Sequence, residues 1–335
     1  MQGLVVGGGS IGKRHLQNLK LLGIDSLALV ETDPERRAAV ASELKIRSFA
    51  DLTAGLNWPP DFVVVATPTH LHAEQTLTIV EKGLPVFVEK PLSHNAARLQ
   101  QISDLVERSR LISLVGCNMR FHPGPAQVKD LLEQNRIGHI LFARLQAGSY
   151  LPSWRPSQDY RANYAAREET GGGCILDCIH EIDLANWYLG EVQNVFCVCG
   201  KLSSLEIATE DVAALVCRHE SGALSEIHLD YVQRTYERDC QIVGEQGSIF
   251  WEFKNRQVSW FDAAGGQWTT FSQPPGWELN QMYVDEMKHF LECIRDKRQT
   301  VLPIPDAISV MQIAFAAKAS AREGRLVTIK KEVPA

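Results

Sequence analysis

Residues 3–23, GLVVGGGSIGKRHLQNLKLLG, set an apolar run against a glycine cluster and then an amphipathic stretch of helical period. GLVV reads as a strand and IGKRHLQNLKLLG as a helix. Between them Gly7, Gly9 and Gly12 form G-x-G-x-x-G, with Ser10 and Ile11 in the variable places. The turn is tight, a side chain at the second glycine would block a pyrophosphate, and the helix N-terminus offers free N–H groups to an anion. Any tight strand-to-helix turn can use glycines, so the motif alone is weak. Its context strengthens it: a second strand, SLALVE, ends in Glu31 about 20 residues on, where a carboxylate accepts ribose hydroxyls. The same acid repels a 2′-phosphate and so predicts NAD, while Arg36 and Arg37 a few residues further keep NADP open.

The rhythm continues outward from this unit. PERRAAVASEL reads as a helix with Pro34 suited to its start, DFVVVATP as a strand covered on both faces, and LHAEQTLTIVEKG as a helix closing at Gly83. PVFVEKP, HNAARLQQISDLVERSR and LISLVGCN follow as strand, helix and strand. This alternation is the pattern of a parallel sheet with crossover helices. Beyond Asn118 it stops. After a short helix, QVKDLLEQN, and a glycine-rich helix entry, GGGCILDCIHEIDLANWYLG, come VFCVCGKL, EDVAALVCRH, ALSEIHLDYV, ERDCQIVGE, SIFWEF and QVSWFD. Strand-like runs without long helices predict a largely antiparallel sheet, closed by helices over 280–297 and 305–323. The boundary is therefore set at 118, with domains 1–118 and 119–335.

A length of 335 residues suits two domains. With 45% hydrophobic and 22% charged residues, disordered, collagen-like and coiled-coil classes are excluded. No apolar run reaches the roughly 18 residues of a membrane span, and Met-Gln-Gly-Leu-Val-Val-Gly lacks the basic flank of a signal peptide, so a cytoplasmic protein is predicted. A net charge of −6 gives no general case for nucleic acid or an anionic membrane. Residues 1–118 hold 12 basic and 12 acidic side chains, so all of the excess lies beyond them. The eight cysteines form no C-x-x-C pair and read as buried, reduced thiols. Cys174, Cys178 and His180 are spaced too poorly to converge on zinc and lack a fourth ligand, and His70 and His72 fare no better. No metal is predicted.

The chain resembles the Gfo/Idh/MocA oxidoreductases, which include glucose-fructose oxidoreductase and inositol dehydrogenase. The matching segments are GGGSIGKRHLQNL, VVVATPTHLHAEQ (63–75), VFVEKPLS (86–93), GCNMRFHPG (116–124), GGGCILDCIHEIDLANWYLG (171–190) and SAREGRLV near the C-terminus. Glu-Lys-Pro alone is modest evidence, but the six in order are specific. The resemblance implies an α/β protein: an N-terminal Rossmann domain with a doubly wound parallel sheet, then an α/β domain with an open, mainly antiparallel sheet. It places the active site in the cleft between them and implies homo-oligomers, dimers or tetramers, formed through the second sheet. Residue by residue, it makes Lys90 and His180 catalytic and assigns Thr67, Pro68, Thr69, His72, Glu89, Lys90 and Asn118 to the cofactor. Most relatives carry an aspartate four residues before the histidine. Here Asp177 stands three before His180 and Asp183 three after, positions that share a helical face with it. The two compete as its partner, with Asp177 preferred.

Oxidising an alcohol needs a base near neutral pKa and a cation for the developing alkoxide. His180 suits the first role and Lys90 the second, with the reverse left open. Between the glycine run and the preceding strand, SYLPSWRPSQDYRANYAAREETGGG places Tyr150, Trp154 and Tyr164 among Arg155, Arg161 and Arg167. Aromatic faces stack on sugars and arginine forks bind carboxylate or phosphate; Asp159, Glu168 and Glu169 could equally knit the arginines into a surface loop. The substrate-side candidates are Tyr150, Trp154, Arg155, Tyr164, Arg167, Asp177 and His180. Together with the activity that the resemblance implies, they predict an NAD(P)-dependent oxidoreductase for a sugar or sugar derivative, acidic or nucleotide-linked. A redox-assisted lyase or glycosidase that recycles NAD, and a non-catalytic nucleotide sensor of the same fold, stand as alternatives.

Overall fold

A computed structural model describes residues 1–156 and 158–329. The described residues divide into two units, one of residues 1–118 with 279–308 and the other of residues 119–278 with 309–329.

The first unit begins with β1 (Gln2–Val6), α1 (Ser10–Leu21), β2 (Ser26–Val30), α2 (Pro34–Leu44), β3 (Arg47–Phe49) and α3 (Leu52–Leu56). It continues with β4 (Phe62–Val65), α4 (His72–Glu81), β5 (Val86–Glu89), α5 (Leu99–Ser109) and β6 (Ser113–Gly116). The six strands are parallel, in the order β3-β2-β1-β4-β5-β6. Val63, Val64 and Val65 are fully buried, as an apolar run covered on both faces requires. β3 and α3 were not predicted: a strand of three residues carries no readable alternation. The order reverses between β1 and β4, and ligands of such sheets bind outside the strand ends at that crevice.

In the second unit α6 (Pro123–Glu133) and β7 (Ile140–Gly148) precede α7 (Cys174–Asp177) and α8 (Ile179–Leu189). Seven strands follow: β8 (Val192–Gly200), β9 (Val212–His219), β10 (Leu224–Asp230), β11 (Glu237–Gly244), β12 (Gly247–Glu252), β13 (Gln257–Asp262) and β14 (Gln267–Ser272). The chain closes with α9 (Asn280–Asp296), α10 (Ile304–Glu323) and β15 (Val327–Thr328). The nine-stranded sheet runs β14-β13-β12-β11-β7-β10-β9-β8-β15, antiparallel except where β7 and β10 pair. Burial alternates strictly along β9 and β12, so one face is covered and the other open.

Residues 279–308, placed by the boundary at 118 in the second half, belong to the first unit. The reason is packing. Phe290 of α9 is fully buried edge-on to Phe62 and Phe87, at ring separations of 6.0 and 5.9 Å. Asn280 also donates to Asn18 Oδ1 at 3.0 Å, and Val115 N–H donates to Leu302 O at 3.0 Å, extending the sheet edge beside β6.

Candidate active site

The glycine turn in the first unit has distinct reasons for each glycine. Gly7 has φ +102°, which L side chains rarely adopt, and a Cβ on Gly12 would overlap the Gly7 carbonyl oxygen. At Gly9 a Cβ would meet nothing within 4 Å, so this position opens on free space. Gly9 caps α1 without a side-chain bond, and Lys13 N–H to Gly9 O, at 2.9 Å, is the helix's opening hydrogen bond. The Ser10, Ile11 and Gly12 amides are thus left for an anion. The residues present fit a pyrophosphate. Gly12→Ala is expected to weaken NADH binding at least about tenfold, read by fluorescence titration, because the turn must open to admit the methyl group.

Glu31 lies 6% exposed at the end of β2. Its Oε2 accepts from Gly8 N–H at 2.8 Å and its Oε1 from Asp33 N–H at 2.9 Å. Arg36 sits 3.4 Å from Oε2, whereas Arg37 turns to the Glu31 carbonyl at 2.7 Å. Both arginines are therefore occupied around the acid. Further round the crevice, Thr67 donates to Gln75 at 2.7 Å, and Pro68 is exposed beside buried Thr69. His72 is 1% exposed, with ring nitrogens 2.8 Å from the Pro91 and Thr67 carbonyl oxygens. Glu89, at the end of β5, is 2.6 Å from His15 Nε2. Lys90 is half-buried. Asn118 is buried and hydrogen-bonded to Tyr283, whose phenol is pushed up by burial and by the Glu89 charge. Arg14 stacks over Tyr283 at 4.6 Å. No motif marks Tyr283, which reaches this unit on α9.

In the second unit the helix expected over the glycine run breaks at Cys178, where φ is −89° and ψ 33°. Asp177 thus closes α7, and the shared helical face argued for it does not hold, while Asp183 follows His180 on α8. Asp183 is fully buried and held by Arg120 through two bonds of 2.7 and 2.9 Å. Glu181, equally deep, pairs with Arg238 at 2.8 Å. Asp177, 4% exposed, accepts from Tyr164 at 2.8 Å and from Tyr231 at 3.3 Å. Burial and the Asp177 charge push the Tyr231 phenol well above its usual range, which keeps it a donor. His180 is 7% exposed.

The loop after β7 sorts its arginines. Arg161 is tied to Asp159 at 2.8 Å and to Glu206 at 2.7 Å, the surface-knitting role. Arg155 and Arg167 are exposed, and among the described residues neither has a carboxylate within ion-pair distance. Trp154 donates to Ser149 at 2.7 Å and meets Tyr231 edge-on at 5.3 Å. Tyr150 lies under the Arg234 guanidinium, 3.7 Å from its ring centre, a stacking the sequence did not announce. Tyr231 was hidden as well, because it reads as the end of a strand.

Two family models match the chain: "Oxidoreductase family, NAD-binding Rossmann fold" over residues 1–117 and "GFO/IDH/MocA C-terminal domain" over 126–250. The chain belongs to the Gfo/Idh/MocA oxidoreductase family. This Gfo/Idh/MocA protein thus carries an NAD-binding Rossmann fold, as the glycine turn predicts. It is 26% identical to scyllo-inositol 2-dehydrogenase (NAD(+)) of Bacillus subtilis, over 97% of this chain and 95% of that one. It is 27% identical to myo-inositol 2-dehydrogenase of Thermotoga maritima, over 98% of both. In structure it is similar to levoglucosan dehydrogenase in complex with NADH and levoglucosan, with a TM-score of 0.90, 22% identity, and coverage of 99% of this chain and all of that one. Among the described residues, no helix of this family member is long and apolar enough to cross a membrane.

One further group of the second unit bears on its stability. His122 is 1% exposed, ringed by Trp251, Phe253 and Trp277, and its Nδ1 accepts from Gly124 N–H at 3.0 Å. Burial, with the Arg238 charge, lowers its pKa from 6.5 to about 4. The unfolded chain then binds this proton more readily, so stability is lost as pH falls from the unfolded value to the folded one. A loss of about 3 kcal/mol is expected across that window. In denaturant melts, His122→Asn, which keeps an acceptor for Gly124, should flatten that dependence.

Proposed function

We propose that this oxidoreductase moves a hydride between NAD and a hydroxyl or keto carbon of a sugar or sugar derivative that carries an anionic group. The observation that carries the substrate side is the Asp177 carboxylate, bonded by two tyrosine hydroxyls while Glu181 and Asp183 are committed to arginines. Relatives named for inositols support a polyol or sugar. Exposed Arg155 and Arg167, together with Arg234 stacked on Tyr150, support the anionic group.

Gly7, Gly9, Ser10, Ile11, Gly12 and Glu31 would hold the cofactor. Bound NAD supplies the hydride acceptor. His180 takes the hydroxyl proton, Asp177 orients the reacting polyol, and the Lys90 ammonium stabilises the developing alkoxide; Lys90 and His180 can exchange these roles. The open sheet face, with Phe196, Val198, Val216 and Trp268 exposed, supports association of copies through this surface.

The test is NADH formation against a panel of neutral sugars, inositols, uronic acids and nucleotide sugars. Failure to oxidise any of them removes the reading, and product without net NADH would point to internal recycling of the cofactor. Replacing Arg155 and Arg167 by glutamine is expected to raise KM about tenfold for an acidic substrate and to leave that of a neutral one unchanged. NAD should exceed NADP in kcat/KM by at least about tenfold, and Glu31→Ser should narrow that gap.

A further inference from the structure

We propose that His15 and His72 are positioning residues that clamp the Lys90 peptide from its two sides. This rests on the catalytic reading of Lys90. The lysine sits at the end of β5, where the chain leaves the sheet and regular pairing ceases to hold it. Its neighbours are held instead. On one side is Glu89, whose Oε1 lies 2.6 Å from His15 Nε2 and whose Oε2 accepts the Lys90 N–H at 3.2 Å. On the other is Pro91, whose carbonyl oxygen is 2.8 Å from His72 Nδ1.

Both histidines are built into elements that shape the cofactor crevice. His15 is fully buried in α1, one turn past the glycine turn, edge-on to Phe87 at 5.0 Å. His72 opens α4, and its Nε2 lies 2.8 Å from the carbonyl oxygen of Thr67, in the turn after β4. The lysine's main chain is thereby referenced to the pyrophosphate helix on one side and to the neighbouring crevice turn on the other. Misplacement of a reacting group by about 1 Å can lower turnover 100-fold. A device that fixes the main chain of a long, flexible lysine reduces this hazard.

The two clamps use different ring nitrogens, and this makes them separable from a general packing role. An asparagine amide stands where Nδ1 stands, and a glutamine amide reaches the Nε2 position. Burial favours a neutral His72, whose ring carries one proton; the clamp places it on Nδ1, donating to Pro91 O, so His72→Asn keeps that bond, whereas the amide of His72→Gln reaches the Nε2 position and donates to Thr67 O instead. At His15 the bond to Glu89 comes from Nε2, so His15→Gln keeps it and His15→Asn loses it.

The experiment measures acetylation of Lys90 by acetic anhydride, followed by peptide mapping, in the four full-length variants with and without NADH. Turnover on the best sugar of the wild-type panel is measured beside it. His72→Gln and His15→Asn are expected to change the Lys90 labelling rate at least about fivefold and to lower kcat by about 10–100-fold. His72→Asn and His15→Gln should keep the Lys90 labelling rate within about threefold of wild type and lose at least about fivefold less kcat than His72→Gln and His15→Asn. Equal effects of Asn and Gln at each position, or no effect in any variant, overturn the clamp. Thermal melts identify variants that fail to fold; if His15 tolerates neither substitution, the His72 pair decides. Lys90→Met separates the two failures: normal turnover in that variant removes the catalytic reading, whereas the labelling pattern tests the clamp whatever Lys90 does in turnover.

Discussion

Lys90→Met and His180→Ala should each lower kcat by about 10²–10⁴-fold, the range for removal of a positioned acid, base or charge stabiliser. The glycine turn and Glu31 are intact in both variants, so cofactor binding should largely survive, with NADH affinity falling far less than kcat. The substitutions also differ in what pH does to them. If His180 is the base, Lys90→Met retains a rate that rises through the histidine range and His180→Ala does not; the opposite pattern exchanges the two roles. Near-normal kcat in both variants would end the assignment. Asp177→Asn is the useful companion. It removes the charge but keeps one carbonyl oxygen, an acceptor for one of the two tyrosine hydroxyls that reach separate carboxylate oxygens, so loss of kcat without loss of stability places the effect on chemistry.

The second large effect concerns folding. Arg120→Met should destabilise the second unit by about 3–5 kcal/mol, because it leaves the Asp183 carboxylate charged and without its bidentate partner in a fully buried place. Loss of the arginine also removes its stacking over Trp187, 5.1 Å from the ring. Denaturant melts measure it. Replacing both partners by apolar residues, Arg120→Met with Asp183→Leu, is expected to recover much of the loss, since no charge is then stranded. If the single variant melts like wild type, the pair contributes nothing to stability and Asp183 returns as a candidate partner of His180.

The parts that were legible in the sequence are those written in consecutive residues. Gly7, Gly9, Gly12 and Glu31 announced the dinucleotide fold through their spacing within a strand–helix–strand pattern, and four consecutive apolar residues at 62–65 announced a doubly covered strand. The parts that stayed hidden depend on chain segments meeting at a distance. β7 and β10 pair in parallel although 75 residues separate their ends, and no local pattern encodes that register. β14 has mostly exposed side chains and so lacks the alternation that marks a strand. Tyr283 looks like one more face residue of an amphipathic helix until its partner Asn118 is known. The break at Cys178 was equally silent, for CILDCIHEID reads as continuous helix. What holds the short first turn is Glu210, whose main-chain carbonyl accepts from Cys174 N–H at 3.1 Å and whose side chain accepts from Ile175 N–H at 3.3 Å.

The return of residues 279–308 to the first unit has a consequence for biosynthesis. When residue 118 leaves the ribosome, the parallel sheet is complete in strands yet lacks Phe290 against its core and Tyr283 beside Asn118. About 190 residues more must be made, which at about 5–20 residues per second is a delay of about 10–40 s. The nascent N-terminal third should therefore be protease-sensitive and unable to retain NADH until the closing helix emerges. Cofactor capture would then mark a chain whose second half has already been synthesised.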